Sequence, residues 1–207
     1  MFIWNAEKRR YERPNGDVVT NAELRSWVDD FAAALVVLFM GRARAVVDAL
    51  ANISIDEQAF RDAFSVWNDQ TRADIRGGHL AACALAFGGF NVITTNEFTT
   101  GEQAADFHAS FWDNFVGAIV TGAIPFDGNF VARSGMYGAA VFSTFQNATR
   151  AREKAAGMTE ERRRLGASDH CPTCLEQAAI GWVAIGSLRA IGDSECRSRC
   201  RCYFQFR

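Results

Sequence analysis

The sequence predicts a mainly α protein: a helical bundle of about four long helices with a small C-terminal cysteine-rich, metal-binding module. Three observations carry this prediction. Apolar residues recur at helical spacing through residues 20–157, and no βαβ alternation or internal repeat appears. Only Pro14, Pro125 and Pro172 interrupt 207 residues, while 17 phenylalanines supply large packing groups. Five of the six cysteines fall between 171 and 202. The expected organisation is an N-terminal arm over 1–19, a helical domain over 20–157 and the cysteine module over 158–207.

Composition bounds the function. With 49% hydrophobic and 22% charged residues, the chain is a core-forming one. A formal charge of −2 gives no global field directed at nucleic acid. Basic residues are arginine apart from Lys8 and Lys154, a bias that suits paired or interface positions. The longest apolar run, Phe31 to Met40, is about half of the ~20 residues a bilayer span needs, so no membrane segment is expected. Met1-Phe2-Ile3-Trp4 meets Glu7, Lys8, Arg9 and Arg10 at once and lacks the apolar core of a signal peptide. A reducing cytosol is the expected setting.

Within the arm, Pro14-Asn15-Gly16-Asp17 is a turn signal between Arg10-Tyr11 and Val18-Val19, consistent with a short hairpin. Thr20-Asn21-Ala22-Glu23 has the capping-box form, and Leu24, Trp27, Val28, Phe31, Leu35, Leu38 and Phe39 carry a first helix to about Leu50. That helix is apolar nearly all round at Phe31 to Met40, so it is expected to sit centrally or to meet another chain. Ser54-Ile55-Asp56-Glu57 opens a second helix with Phe60, Phe64, Trp67, Thr71 and Ile75 on one face. Gly77-Gly78 predicts a bend or break, and Gly88-Gly89 a stop. Thr94-Thr95-Asn96 reads as loop. Thr100-Gly101-Glu102-Gln103 starts a third helix, with Phe107, Phe111, Phe115 and Ile119 four apart. After the turn Pro125-Phe126-Asp127-Gly128, a fourth helix runs from about Asn129 to Ala156 with Phe130, Tyr137, Val141 and Phe145 inward. The stretch Thr159 to Gly166 reads as a charged segment leading out of the bundle.

The tail carries the chemistry. Cys171-Pro172-Thr173-Cys174 is followed by Cys196, Cys200 and Cys202, with His170 adjacent. A C-x2-C turn presents two thiolates to one metal, and a second cysteine group closes a tetrahedron with Zn–S near ~2.3 Å. Such a structural zinc would supply the folding free energy that a short segment with few large apolar residues cannot find in a core. The preferred ligands are Cys171, Cys174, Cys196 and Cys200, with Cys202 the competing fifth. Cysteines without metal are the plain alternative. Redox chemistry at C-x-x-C would require a preceding strand in a βαβ setting. A zinc deaminase would require H-x-E, which neither His79-Leu80-Ala81 nor His108-Ala109-Ser110 supplies. His79 and His108 read as solvated or core-edge residues, and Asp29-Asp30 and Glu160-Glu161 as solvated faces. No nucleophile elbow, phosphate loop or dinucleotide fingerprint occurs, so neither a catalytic site nor a bound cofactor beyond zinc is expected. Arg197, Arg199, Arg201 and Arg207, with Tyr203, Phe204 and Phe206 nearby, suit either nucleic-acid phosphates or an acidic protein surface.

Arg163-Arg164-Leu165-Gly166, His170 through Cys174, Gly181-Trp182, Gly186, Gly192 and Cys196 through Cys202 together resemble the minor head, or head-morphogenesis, proteins of tailed bacteriophages. Gly77-Gly78-His79-Leu80 and Gly88-Gly89 extend the resemblance into the helices. The better-known members end in H-P-x-C-R-C; Ser198-Arg199-Cys200-Arg201-Cys202 lacks the histidine and proline, which favours thiolate ligands only. The resemblance implies a non-enzymatic, multi-copy virion protein assembled in the host cytoplasm, with portal, major capsid or neck subunits as partners. DNA contact would run through Arg197, Arg199 and Arg201. A zinc-ribbon nucleic-acid-binding module using the arginine-rich tail is the alternative from a different class.

Overall fold

The computed structural model describes residues 2–5, 7–8 and 10–207; Met1, Ala6 and Arg9 of the N-terminal arm lie outside the described residues. Two short strands open the chain, β1 (Ile3–Asn5) and β2 (Arg10–Glu12), paired antiparallel with Trp4 opposite Tyr11. The predicted turn at Pro14 to Asp17 is closed by a bridge between Glu12 and Val18. This hairpin docks on the helices: the Tyr11 hydroxyl donates to the Leu85 carbonyl at 2.5 Å, and the Arg152 guanidinium lies 5.5 Å over the Trp4 ring.

Helix α1 (Asn21–Ala51) begins as expected, with Thr20 and Glu23 capping each other. It packs mainly along α5 (Gly128–Ala139), burying Leu24, Val28, Leu35, Phe39 and Val46. Its other face is open to solvent, with Val37 72% exposed.

Helix α2 (Glu57–Ser65) is capped by Asp56, whose carboxylate accepts from the Ala59 N–H, rather than by Ser54. A π turn at Val66–Gln70 joins it to α3 (Thr71–Ala86). The irregularity therefore falls earlier than expected, at Val66–Gln70, and the helix continues through Gly77-Gly78. The physical reason is packing. A Cβ at Gly78 would meet Leu35 at 3.0 Å and Val141 at 3.1 Å, so the glycine admits close helix approach instead of a break. The π turn places Trp67 in the centre of the core, its Nε1 donating to the Ser134 hydroxyl at 3.2 Å.

Helix α4 (Thr95–Val120) is capped at Thr94 instead of Thr100, nearly two turns earlier than expected, because Thr94 and Glu97 form a second capping box. It packs chiefly along α3. Its phenylalanine row is only half buried: Phe115 and Ile119 are inside, whereas Phe107 and Phe111 are 59% and 49% exposed. The expected fourth helix is divided at Ala140 into α5 and α6 (Val141–Ala155). Trp67, Trp112, Phe115, Phe130 and Tyr137 form a continuous aromatic nest, with the two indole rings 4.7 Å apart.

The main correction lies at 160–164. Glu160–Arg164 is not a charged exit but strand β3, the centre of a three-stranded antiparallel sheet between β4 (Val183–Ala184) and β5 (Tyr203–Phe206). Alternation explains it: Glu161 and Arg163 point inward and are fully buried, while Arg162 and Arg164 point outward. Glu161 is satisfied by the Arg150 guanidinium and by the N–H groups of Gly186 and Leu188, both at 3.1 Å. Leu188, Ile191 and Phe204 belong to the same apolar cluster as Phe39 and Val141, so the sheet region and the helices share one core.

Candidate metal centre

Cys171 caps helix α7 (Pro172–Ala179), with Pro172 in the first helical position where no N–H is needed. That places Cys174 in the first turn, its N–H donating to the Cys171 carbonyl at 3.0 Å. Cys196 and Cys200 flank a 3₁₀ turn at Arg197–Arg199, and Cys202 stands immediately before β5. All five cysteines singled out from the sequence are thereby brought together, and all are free thiols.

Cys171, Cys174 and Cys196 form one trio, and Cys174, Cys200 and Cys202 a second; within each, the sulfurs lie within 4.8 Å of one another. Cys174 is common to both. Its Sγ is 3.5 Å from Cys196 and 3.7 Å from Cys200. Thiolates arranged tetrahedrally about a metal at ~2.3 Å are separated by ~3.8 Å, so these spacings fit a shared ion. The cluster could hold a metal ion.

Charge supports the same conclusion. Arg163 is 1% exposed and has no carboxylate within ion-pair distance among the described residues. Its guanidinium donates to the Ser194 hydroxyl at 3.0 Å and to the carbonyls of Arg189 and Ala190, and it reaches Cys174 Sγ at 3.8 Å. A buried cation is costly without a counter-charge, and the thiol cluster is placed to supply it once ionised, although burial by itself pushes the Cys174 thiol up. Within the cluster, hydrogen bonding from Cys202 holds the Cys200 thiol down to about 5, while that same contact pushes Cys202 up and burial raises Cys196. Crowded thiols cannot all ionise alone; a divalent cation removes that conflict.

His170 stands beside the set. Its Nε2 donates to the Gly166 carbonyl at 2.9 Å, leaving Nδ1 facing Cys202 Sγ at 3.7 Å. Gly166 itself lies against the Arg201 carbonyl so closely that a Cβ there would collide with it. Cys83, by contrast, is a core thiol: burial, helped by Glu97, pushes it up to about 11.

Two features escaped the sequence reading. Ser194 and the guanidinium of Arg163 lie against the centre; Arg163 was singled out only through the resemblance, and the signal for its burial was the two-residue alternation within a charged run. His79 is fully buried rather than solvated or at the core edge, whereas His108 is half-buried at that edge as expected; the two rings stack at 4.0 Å, with His79 Nδ1 2.7 Å from the Thr144 hydroxyl. Of the tail arginines, Arg201 pairs with Asp29 at 2.9 Å and covers the Phe142 ring, and Arg207 pairs with Glu160 over Trp182. Arg197 and Arg199 remain exposed. Among the described residues, no helix is long and apolar enough to cross a membrane. No family model matches the chain, and neither the curated proteins nor the solved structures yield a match.

Proposed function

We propose that the chain is a non-enzymatic structural protein of a tailed-bacteriophage particle, a minor head or connector-associated component whose C-terminal region is locked by zinc. The observation that carries this reading is the convergence of four thiols on Cys174 beside a buried arginine. Four thiolates saturate a tetrahedral ion and leave no open position for a substrate, which is the pattern of structural rather than catalytic sites. Soft thiolates in tetrahedral array suit Zn²⁺. Cys171, Cys174, Cys196 and Cys200 would hold it, with Cys202 as the competing fifth.

Part of the phage resemblance lies in residues at the centre: Arg163, Gly166, His170 through Cys174 and Cys196 through Cys202. The metal would tie α7, the 3₁₀ turn and β5 to one point. Arg201–Asp29 and Arg150–Glu161 then join that point to α1 and α6. The exposed apolar residues Val37, Leu38, Phe107 and Phe111 suit contact with neighbouring subunits. The nucleic-acid alternative has fewer free groups than the sequence suggested, because Arg201 is spent on Asp29.

Metal analysis of purified protein should find about one zinc per chain, lost in Cys174→Ser and retained in Cys83→Ser. Mass spectrometry of virions and procapsids should find the chain at fixed copy number; absence from both would remove the assembly role. Tight, salt-sensitive DNA binding that depends on Arg197 and Arg199 would favour the alternative.

A further inference from the structure

A cavity of about 820 Å³ lies in the crevice between α4 on one side and α5, α6 and the segment 191–198 on the other. That is the size of a small-molecule site. Phe107, Phe111, Met136 and Tyr137 give its walls an apolar part, beside hydroxyl and amide groups such as Thr144 and Asn147. The charges on those walls are Arg133, Arg197 and a single carboxylate, Asp193. Neither arginine has a carboxylate within ion-pair distance among the described residues. Arg133 instead rests 4.7 Å over the Phe115 ring. His108, also on the wall, is pushed down to about 4 by burial, so at neutral pH it contributes an uncharged ring.

Arg197 adds an independent observation. At φ 45° it is the one non-glycine residue with positive φ among the described residues. A bulky side chain in that region stores strain, and such strain persists where the surroundings enforce it, often at ligand sites. Arg197 lies in the short turn between Cys196 and Cys200, both members of the thiol cluster. The turn built by the centre thus carries a cationic residue to the wall of the cavity.

We propose that this cavity binds an organic anion: a ring- or chain-bearing apolar body seated against Phe107, Phe111 and Met136, its carboxylate, sulfonate or phosphate group held by Arg133 and Arg197. The inference rests on the metal-locked reading only for the placement of Arg197.

The test compares two probes with one aromatic body, anilinonaphthalene sulfonate and its uncharged counterpart phenylnaphthylamine, by fluorescence titration of the full chain. The sulfonate should bind at one site per chain, about tenfold tighter than the neutral probe, as expected for a charge-assisted contact in an apolar setting. The double variant Arg133→Gln/Arg197→Gln should bind both probes equally, and Arg133→Lys/Arg197→Lys should restore part of the preference. Ala104→Trp, which fills the cavity, should weaken both probes, whereas Val37→Asp on the far face of α1 should change neither. Equal affinities in the unmodified chain, or full sulfonate binding in Ala104→Trp, would overturn the proposal. Metal content measured on the same samples separates the two readings. Metal present without anion preference ends the cavity site alone; preference retained without metal ends the metal-locked reading alone.

Discussion

The guanidinium of Arg163 lies 3.8 Å from the sulfur of Cys174, and among the described residues it has no carboxylate within ion-pair distance, the buried Glu161 being paired with Arg150. This pairing links the fold to the centre, because each group is costly to bury in charged form without the other. Replacing Arg163 by Met should therefore lower metal affinity by roughly 10–100-fold, the usual effect of losing an outer partner of a metal ligand. Arg163→Lys should recover part of the loss by restoring the charge without the fork of donors. Competition with a chromophoric chelator measures both; unchanged affinity in Arg163→Met would show that Cys174 needs no counter-cation.

A second expectation concerns acid. Unfolded, the imidazoles of His79 and His108 protonate near pH 6.5; folded, burial holds His108 down to about 4 and His79 well below its ordinary value. The unfolded chain binds more protons throughout that window, so stability should fall as pH drops from 6.5 towards 4. For His108 alone, the gap of 6.5 − 4 = 2.5 pH units corresponds to on the order of 3 kcal/mol. Thermal melts of the chain and of His79→Gln/His108→Gln across this range should diverge, the variant losing less. Acid release of metal affects both proteins and cancels in the comparison.

The two neighbouring glycines of α3 should respond oppositely. A Cβ at Gly77 meets nothing within 4 Å, so Gly77→Ala should stabilise the helix interior by about 0.5–1 kcal/mol. At Gly78 a Cβ meets Leu35 and Val141 at the tight end of contact. Gly78→Val should force α3 away from α1 and α6 and cost about 1–3 kcal/mol. Denaturant titration distinguishes these outcomes, and equal effects at the two positions would contradict the packing explanation.

Helix α1 offers a test of association. Its open face carries Val37 and Leu38, 72% and 42% exposed. If this face meets a second chain, sedimentation at micromolar concentration should show association that Val37→Asp abolishes. A monomer in both cases would leave the face without a self-contact.

The amino-acid sequence determined those features whose causes are local. The capping box at Thr20 and Glu23 and the turn at Pro14 to Asp17 were legible because their hydrogen bonds close within a few residues. The five clustered thiols were legible because Cys171 and Cys174 share one helical turn and Cys196, Cys200 and Cys202 lie within seven residues. Thr94 and Glu97 were equally local, and the neighbouring threonines obscured them. What only the tertiary structure decided depends on partners distant in the chain. Whether Gly78 breaks a helix or seats one is settled by Leu35 and Val141; whether Glu161 and Arg163 are solvated is settled by Arg150 and by the carbonyls of Arg189 and Ala190. Charge in a sequence signals water until another segment supplies its counterpart, and that counterpart is brought close by packing rather than by spacing.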